Sequence, residues 1–154
     1  MKSIINVLEH YRYKKINSPW IIEGNKNCKN SLVISQNPQN SNSIILYRSD
    51  NEEEGLEFSY SLWFIVQDYQ YNSSGNYKHI FHKGDKTGKV TFCPKMVLLN
   101  GNNTLRITMN LIDNSNSPNI DINNIPINKW IHVSLVVKQK KVEVFINGFL
   151  KRVV

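Results

Sequence analysis

Hydrophobic and polar residues alternate with a period of two along most of this chain, and the clearest run begins at Trp130. Ile131, Val133, Leu135 and Val137 fall on one side of it and His132, Ser134 and Lys138 on the other, the pattern of a half-buried strand. After a polar break at Gln139 to Lys141, Val142, Val144 and Ile146 repeat the period against Glu143 and Phe145, so the two runs predict a hairpin. Asn147-Gly148 tolerates the positive φ angles of a two-residue turn, which makes Phe149 to Val154 a third strand of a β-meander.

The same period recurs upstream. Leu56, Phe58, Tyr60, Leu62, Phe64 and Val66 share one face of a long central strand, and Leu105, Ile107, Met109 and Leu111 oppose Arg106, Thr108 and Asn110 in another. His79 to Lys83, Val90 to Phe92 and Met96 to Leu99 are shorter strand candidates, the last two separated by Pro94. Trp20 to Ile22, Leu32 to Ile34 and Ile44 to Tyr47 are apolar runs set among Asn, Ser and Pro, the mark of strands in an all-β domain. Met1 to Lys15 fits a helical face through Ile4, Ile5, Val7 and Leu8 and strand alternation through Tyr11 and Tyr13, so both stay open. Between the runs lie polar loops at Ser49 to Gly55, Asp68 to Lys78 and Asp113 to Asn119. The pattern predicts a single all-β domain, an antiparallel jelly-roll β-sandwich over residues 19–154 preceded by an N-terminal arm or first strand at 1–18.

Composition changes this picture little. A chain of 154 residues is long enough to bury a core without disulfides, and Cys28 and Cys93 have no paired spacing, so both are expected as free thiols. The net charge of +7 raises the question of an anionic partner. The lysines are scattered, though, and the cluster Lys138 to Lys141 sits at a turn, where exposed lysines discourage edge pairing, so solubility explains the charge better than a nucleic-acid surface. The apolar run before Glu9 is too short for a signal segment or a membrane span, which makes intracellular synthesis the default expectation.

Candidate chemistry is sparse. Tyr69, Tyr71 and Tyr77 crowd one polar loop and could offer aromatic faces and hydroxyls together, which makes them the candidate ligand-binding residues. His79 and His82 stand three apart, which on a regular strand places them on opposite faces and keeps them from sharing a metal. Trp63 and Trp130 are expected in the core, and Trp20 at a sheet edge. Glu52, Glu53 and Glu54 are adjacent in a loop and Glu143 stands alone on its strand, so no carboxylate pair is in view.

Several motifs, in order, carry a resemblance. Asn-Ile-Pro-Ile-Asn-Lys-Trp at 124–130 followed by Val-Glu-Val-Phe-Ile-Asn-Gly at 142–148 resembles the core signature of the laminin G-like, concanavalin A-like lectin/glucanase superfamily. Pro19 to Ile22, Lys29 to Ser31, Phe58 to Trp63 and His79 to Gly84 resemble a branch of it found in large double-stranded DNA viruses. The resemblance implies the sandwich fold. It also implies calcium as the cofactor to consider, with the loop residues Asp85 and Asp113 as ligands, because some laminin G-like domains bind it so. The Glu-x-Asp-x-(x)-Glu strand of the superfamily's glucanases has no counterpart here. The expected function is therefore a non-enzymatic binding or structural module, virion-associated or in the host cytoplasm, contacting other protein subunits of the capsid or virion, or glycans. A carbohydrate-active enzyme and a basic nucleic-acid-binding protein are the alternatives. In the family further strands follow the Asn-Gly turn and return across the sandwich, whereas here six residues follow Gly148. That difference raises the expectation of an unpaired sheet edge covered by a partner subunit or by Met1 to Lys15.

Overall fold

The computed structural model describes residues 4–8, 17–68, 75–110 and 118–154, and divides the chain into two compact units, Met1–Ser49 and Asp50–Val154. In the first unit residues 4–8 are helical, the helical one of the two readings of that segment. The strands expected at Trp20 to Ile22, Leu32 to Ile34 and Ile44 to Tyr47 are absent; these residues lie in turns and irregular backbone. An apolar run becomes a strand only when a neighbour completes its ladder, and between Ser35 and Ile44 a single backbone bond forms, from Ile44 N–H to the Ser35 carbonyl at 2.9 Å.

The second unit is a β-sandwich. Its strands among the described residues are β1 (Asp50–Glu52), β2 (Gly55–Ile65), β3 (Tyr77–Gly84), β4 (Phe92–Leu99), β5 (Leu105–Thr108), β6 (Asn119–Ile122), β7 (Trp130–Lys138), β8 (Lys141–Ile146) and β9 (Phe149–Val153). They form two antiparallel sheets, one ordered β1-β2-β7-β8-β9 and one ordered β3-β4-β5-β6. The predicted meander is present as β7, β8 and β9, with Asn147 and Gly148 at φ 50° and 83° in the turn.

Alternation does the packing. Ile131, Val133, Leu135 and Val137 of β7 point inward with Phe64 of β2 and Val144 and Ile146 of β8. They meet Met96 and Leu98 of β4, Leu105 and Ile107 of β5, and Ile120 and Ile122 of β6 from the other sheet. Met96, Leu105, Ile107, Ile131 and Leu135 are among the largest wholly buried side chains, so the core lies midway between the sheets.

Two expectations about β4 and β6 are corrected. Pro94 does not separate two strands but sits buried inside β4, where the pairing with β3 slips between His82 and Gly84. A residue without an N–H is tolerated in a sheet where the ladder is interrupted. Asn119, expected as the last residue of the polar loop, instead opens the strand Asn119–Ile122, because Ile120 and Ile122 complete the inner face beside β5. No helix among the described residues is long and apolar enough to cross a membrane.

Candidate functional site

The outer face of the five-stranded sheet is built by the residues that alternate with the core. Antiparallel pairing sets Ile65 opposite Trp130, Trp63 opposite His132, Ser61 opposite Ser134 and Glu57 opposite Lys138. Across the next ladder Ser134 faces Phe145 and Lys138 faces Lys141. The face is thus graded: aromatic and aliphatic at one end, hydroxyl-bearing in the middle, charged at the other.

Here the expectation of buried tryptophans fails. Trp63 is 62% exposed and Trp130 48% exposed. The reason is phase: both stand one residue out of step with the inward set, Trp63 between Leu62 and Phe64 and Trp130 before Ile131, and ring size does not override the alternation.

Trp63 is nevertheless held in place. Its ring lies 4.9 Å from that of His132, inclined by 35°. His132 Nε2 is 2.7 Å from the Ser61 hydroxyl. The backbone of His132 is clipped to the Asn147-Gly148 turn from both sides, its N–H donating to Asn147 Oδ1 at 2.9 Å and its carbonyl accepting from Asn147 N–H at 2.9 Å. Trp63, His132, Ser61 and Asn147 therefore form one fixed group spanning β2, β7 and the turn after β8, an aromatic surface with a hydroxyl and an imidazole beside it. Charged residues begin one row beyond the serines, where Glu143 stands across from Val136 and pairs with Lys141 at 2.5 Å, and at the far end Lys140 pairs with Glu54 at 3.2 Å beside an open cleft of about 420 Å³.

The other sheet presents a different exterior. Arg106 and Asp121, cross-strand partners, form a two-pronged ion pair at 2.8 and 2.7 Å, which raises the affinity of the guanidinium for its proton and holds the carboxyl below the usual range. Thr108 donates to Asn119 Oδ1 at 2.8 Å. His79 and His82 are together, contrary to the spacing argument, because an extra residue at Ile80 interrupts the β3–β4 register and turns both rings outward, beside Val97 and Lys95. His79 Nε2 lies 2.7 Å from His82 Nδ1, and His82 Nε2 lies 2.8 Å from the Asp85 carbonyl oxygen. A carbonyl only accepts, so in the neutral pair His82 carries its proton on Nε2 and His79 donates to His82. Burial, then the neighbouring His82 and Lys95, lowers the proton affinity of His79.

The candidates read from the sequence fall as follows. Tyr77 opens β3, its hydroxyl accepting from Lys95 Nζ at 3.1 Å and its ring lying 4.6 Å from the same ammonium. Asp85 organises its own loop: Oδ1 accepts from the Thr87 N–H and hydroxyl, and Oδ2 from the N–H groups of Val90 and Thr91. These bonds, the Thr87 hydroxyl foremost, hold its carboxyl well below the usual carboxylate range. Tyr69, Tyr71 and Asp113 lie outside the described residues. No cluster of three or more His, Cys, Asp or Glu placed to hold a metal occurs among the described residues. Cys28 and Cys93 are free thiols. What sequence reasoning missed is the Trp63, Trp130 and His132 face, and the phase of the β2 and β7 alternation was the signal that could have found it. No family model, no curated protein and no solved structure matches this chain.

Proposed function

We propose that this protein is a non-enzymatic binding module that holds a glycan against the outer face of its five-stranded sheet. The observation that carries this reading is Trp63, exposed yet pinned on His132, with Trp130 diagonal to it across the β2–β7 ladder. An indole held against a neighbouring ring gives up little conformational freedom when a ligand stacks on it, and a hydroxyl and an imidazole alongside suit a ligand that carries both CH faces and OH groups. The acids of this face, Glu57 and Glu143, stand away from the tryptophans, and Glu143 is paired with Lys141. A hydrolytic pair flanking a bond held on Trp63 is therefore not part of the proposal.

The concanavalin A-like jelly roll suggested by the motifs belongs to the same reading, as does a virion-associated setting with other subunits as neighbours. Mass spectrometry of purified particles tests the setting. Retention on immobilised polysaccharides tests the activity: the protein is expected to be retarded on at least one matrix and the Trp63→Ala, Trp130→Ala double variant to elute unretarded. Elution of the unaltered protein with the void volume from every matrix would remove the proposal.

A further inference from the structure

We infer that His79 and His82 form a two-imidazole site for a divalent transition-metal ion of the zinc and copper kind, on the outer face of the four-stranded sheet. The inference does not depend on the glycan face, which belongs to the other sheet. On a regular strand a spacing of three would forbid such a site, and the register slip at Ile80 removes that obstacle by turning both rings to one side. What the slip brings together is a pair of ring nitrogens. His79 Nε2 and His82 Nδ1 stand 2.7 Å apart and aim at each other, with the rings edge to face and 4.8 Å between their centroids. Between two imidazoles such a bond is a proton shared by two bases, and a metal ion can take the proton's place. Two nitrogens bound to one zinc ion at about 2.0–2.1 Å stand roughly 2.9–3.4 Å apart, so these need to separate by less than about 1 Å. His79 is exposed, which leaves its ring room to move.

The support around His82 is of the kind a metal ligand needs. Metal-bound histidines commonly donate their second ring N–H to a carbonyl or carboxylate, which fixes the tautomer and the ring plane. His82 does so: Nε2 donates to the Asp85 carbonyl at 2.8 Å and leaves Nδ1 to face His79. That carbonyl is itself held, because the Asp85 carboxylate gathers the N–H groups of Thr87, Val90 and Thr91. Gly88 closes the loop so tightly on the imidazole that a Cβ there would lie 3.0 Å from the His82 ring. The charge that opposes a cation is Lys95, across the ladder from His82, and its ammonium is turned to the Tyr77 hydroxyl at 3.1 Å and the Gly88 carbonyl at 3.0 Å. Calcium, which takes carboxylate and carbonyl oxygens, finds no such set here, whereas imidazole nitrogen suits zinc and copper. No group of three or more His, Cys, Asp or Glu forms among the described residues, so water or a ligand carried by the ion completes the coordination.

Titration of the full chain with Zn²⁺ alone, followed by calorimetry and amide chemical shifts, and with Cu²⁺ alone, followed by electron paramagnetic resonance, tests the site. Zinc is expected to shift the amides of residues 79–88, and copper to show coupling to a pair of imidazole nitrogens. His79→Ala and His82→Ala should each weaken zinc binding about tenfold or more. His79→Ala leaves the bond from His82 to the Asp85 loop in place, so it should stay folded near the parent melting temperature and lose the rise that zinc gives the parent. Absence of zinc-induced shifts around His82, or zinc binding undiminished in both variants, would overturn the proposal. Binding centred on the ring of His10 or His132 would do the same. So would calcium moving the amides of residues 79–88 as zinc does, since an ion held by oxygen ligands would then be the one the loop selects.

Discussion

The two outer faces of the sandwich obey the same alternation and do opposite things with it. On the four-stranded sheet the outward residues satisfy one another: Arg106 holds Asp121, Thr108 holds Asn119, and His79 and His82 hold each other and the Asp85 loop. On the five-stranded sheet the outward residues at one end are two tryptophans that the core does not use. A surface that closes its own hydrogen bonds contributes to stability and has little left for a ligand. A surface that leaves large apolar rings in water has the reverse balance, since exposed aromatic area is the part of a protein that gains most from being covered.

That contrast can be broken most sharply along β7, where neighbouring residues belong to opposite faces. Ile131→Ala should cost about 2–5 kcal/mol in urea unfolding, whereas Trp130→Ala should cost less than about 1 kcal/mol despite removing a larger side chain. Equal costs would mean that Trp130 is packed as core and that the outer face has a structural function. On the other sheet, Gly84 has φ +153° and a Cβ there would collide with the Thr91 carbonyl. Gly84→Ala should therefore lower stability by about 2–3 kcal/mol, measured as a fall in melting temperature. A smaller pair of effects sharpens the comparison. Arg106→Ala should cost about 0.5–1 kcal/mol as a half-exposed two-pronged pair. Trp63→Ala should change stability by no more than about 0.5 kcal/mol.

The pH limits separate the faces less strongly. The Asp85 carboxyl is depressed in the folded protein, so its contribution is present above about pH 4 and is lost as pH falls through the folded value. Asp85→Asn should flatten the acid side of the melting profile without shifting the neutral plateau upward. At the alkaline end Tyr60, against Phe58 and Phe81 on the inner side of β2, is pushed up to about 12, first by burial and then by Cys93. Its stabilisation is complete below about pH 10 and lost as pH rises toward the folded value, so Tyr60→Phe should reduce the alkaline loss of stability.

How much of this was legible can be followed residue by residue. The β7–β8–β9 meander was readable because three independent signals agree there: period-two alternation, a polar break, and an Asn-Gly pair at the turn. The inward set of β2 was equally readable. The tryptophans were misplaced because size suggested core where phase said surface, and phase prevailed. The His79–His82 contact could not be read, since nothing in His-Ile-Phe-His-Lys-Gly marks Ile80 as the residue that the partner strand skips. The apolar runs before Ser49 show the limit of local pattern, because a strand depends on its neighbour as much as on itself. The clip between Asn147 and His132 was invisible for the same reason: the turn was legible, its long-range partner was not.

The position of β7 between β2 and β8 bears on the order in which the molecule folds. β7, β8 and β9 are joined by turns of two residues and can find one another quickly, whereas β2 reaches β7 only across residues 66–129. Closing so long a loop is the slow, entropically costly step in a protein of this topology. The surface made by Trp63, Ser61 and His132 straddles that junction. During refolding, amide protection in residues 130–153 should therefore precede the fluorescence change of Trp63, and the surface made by Trp63, Ser61 and His132 comes into existence only with that long-range strand pairing.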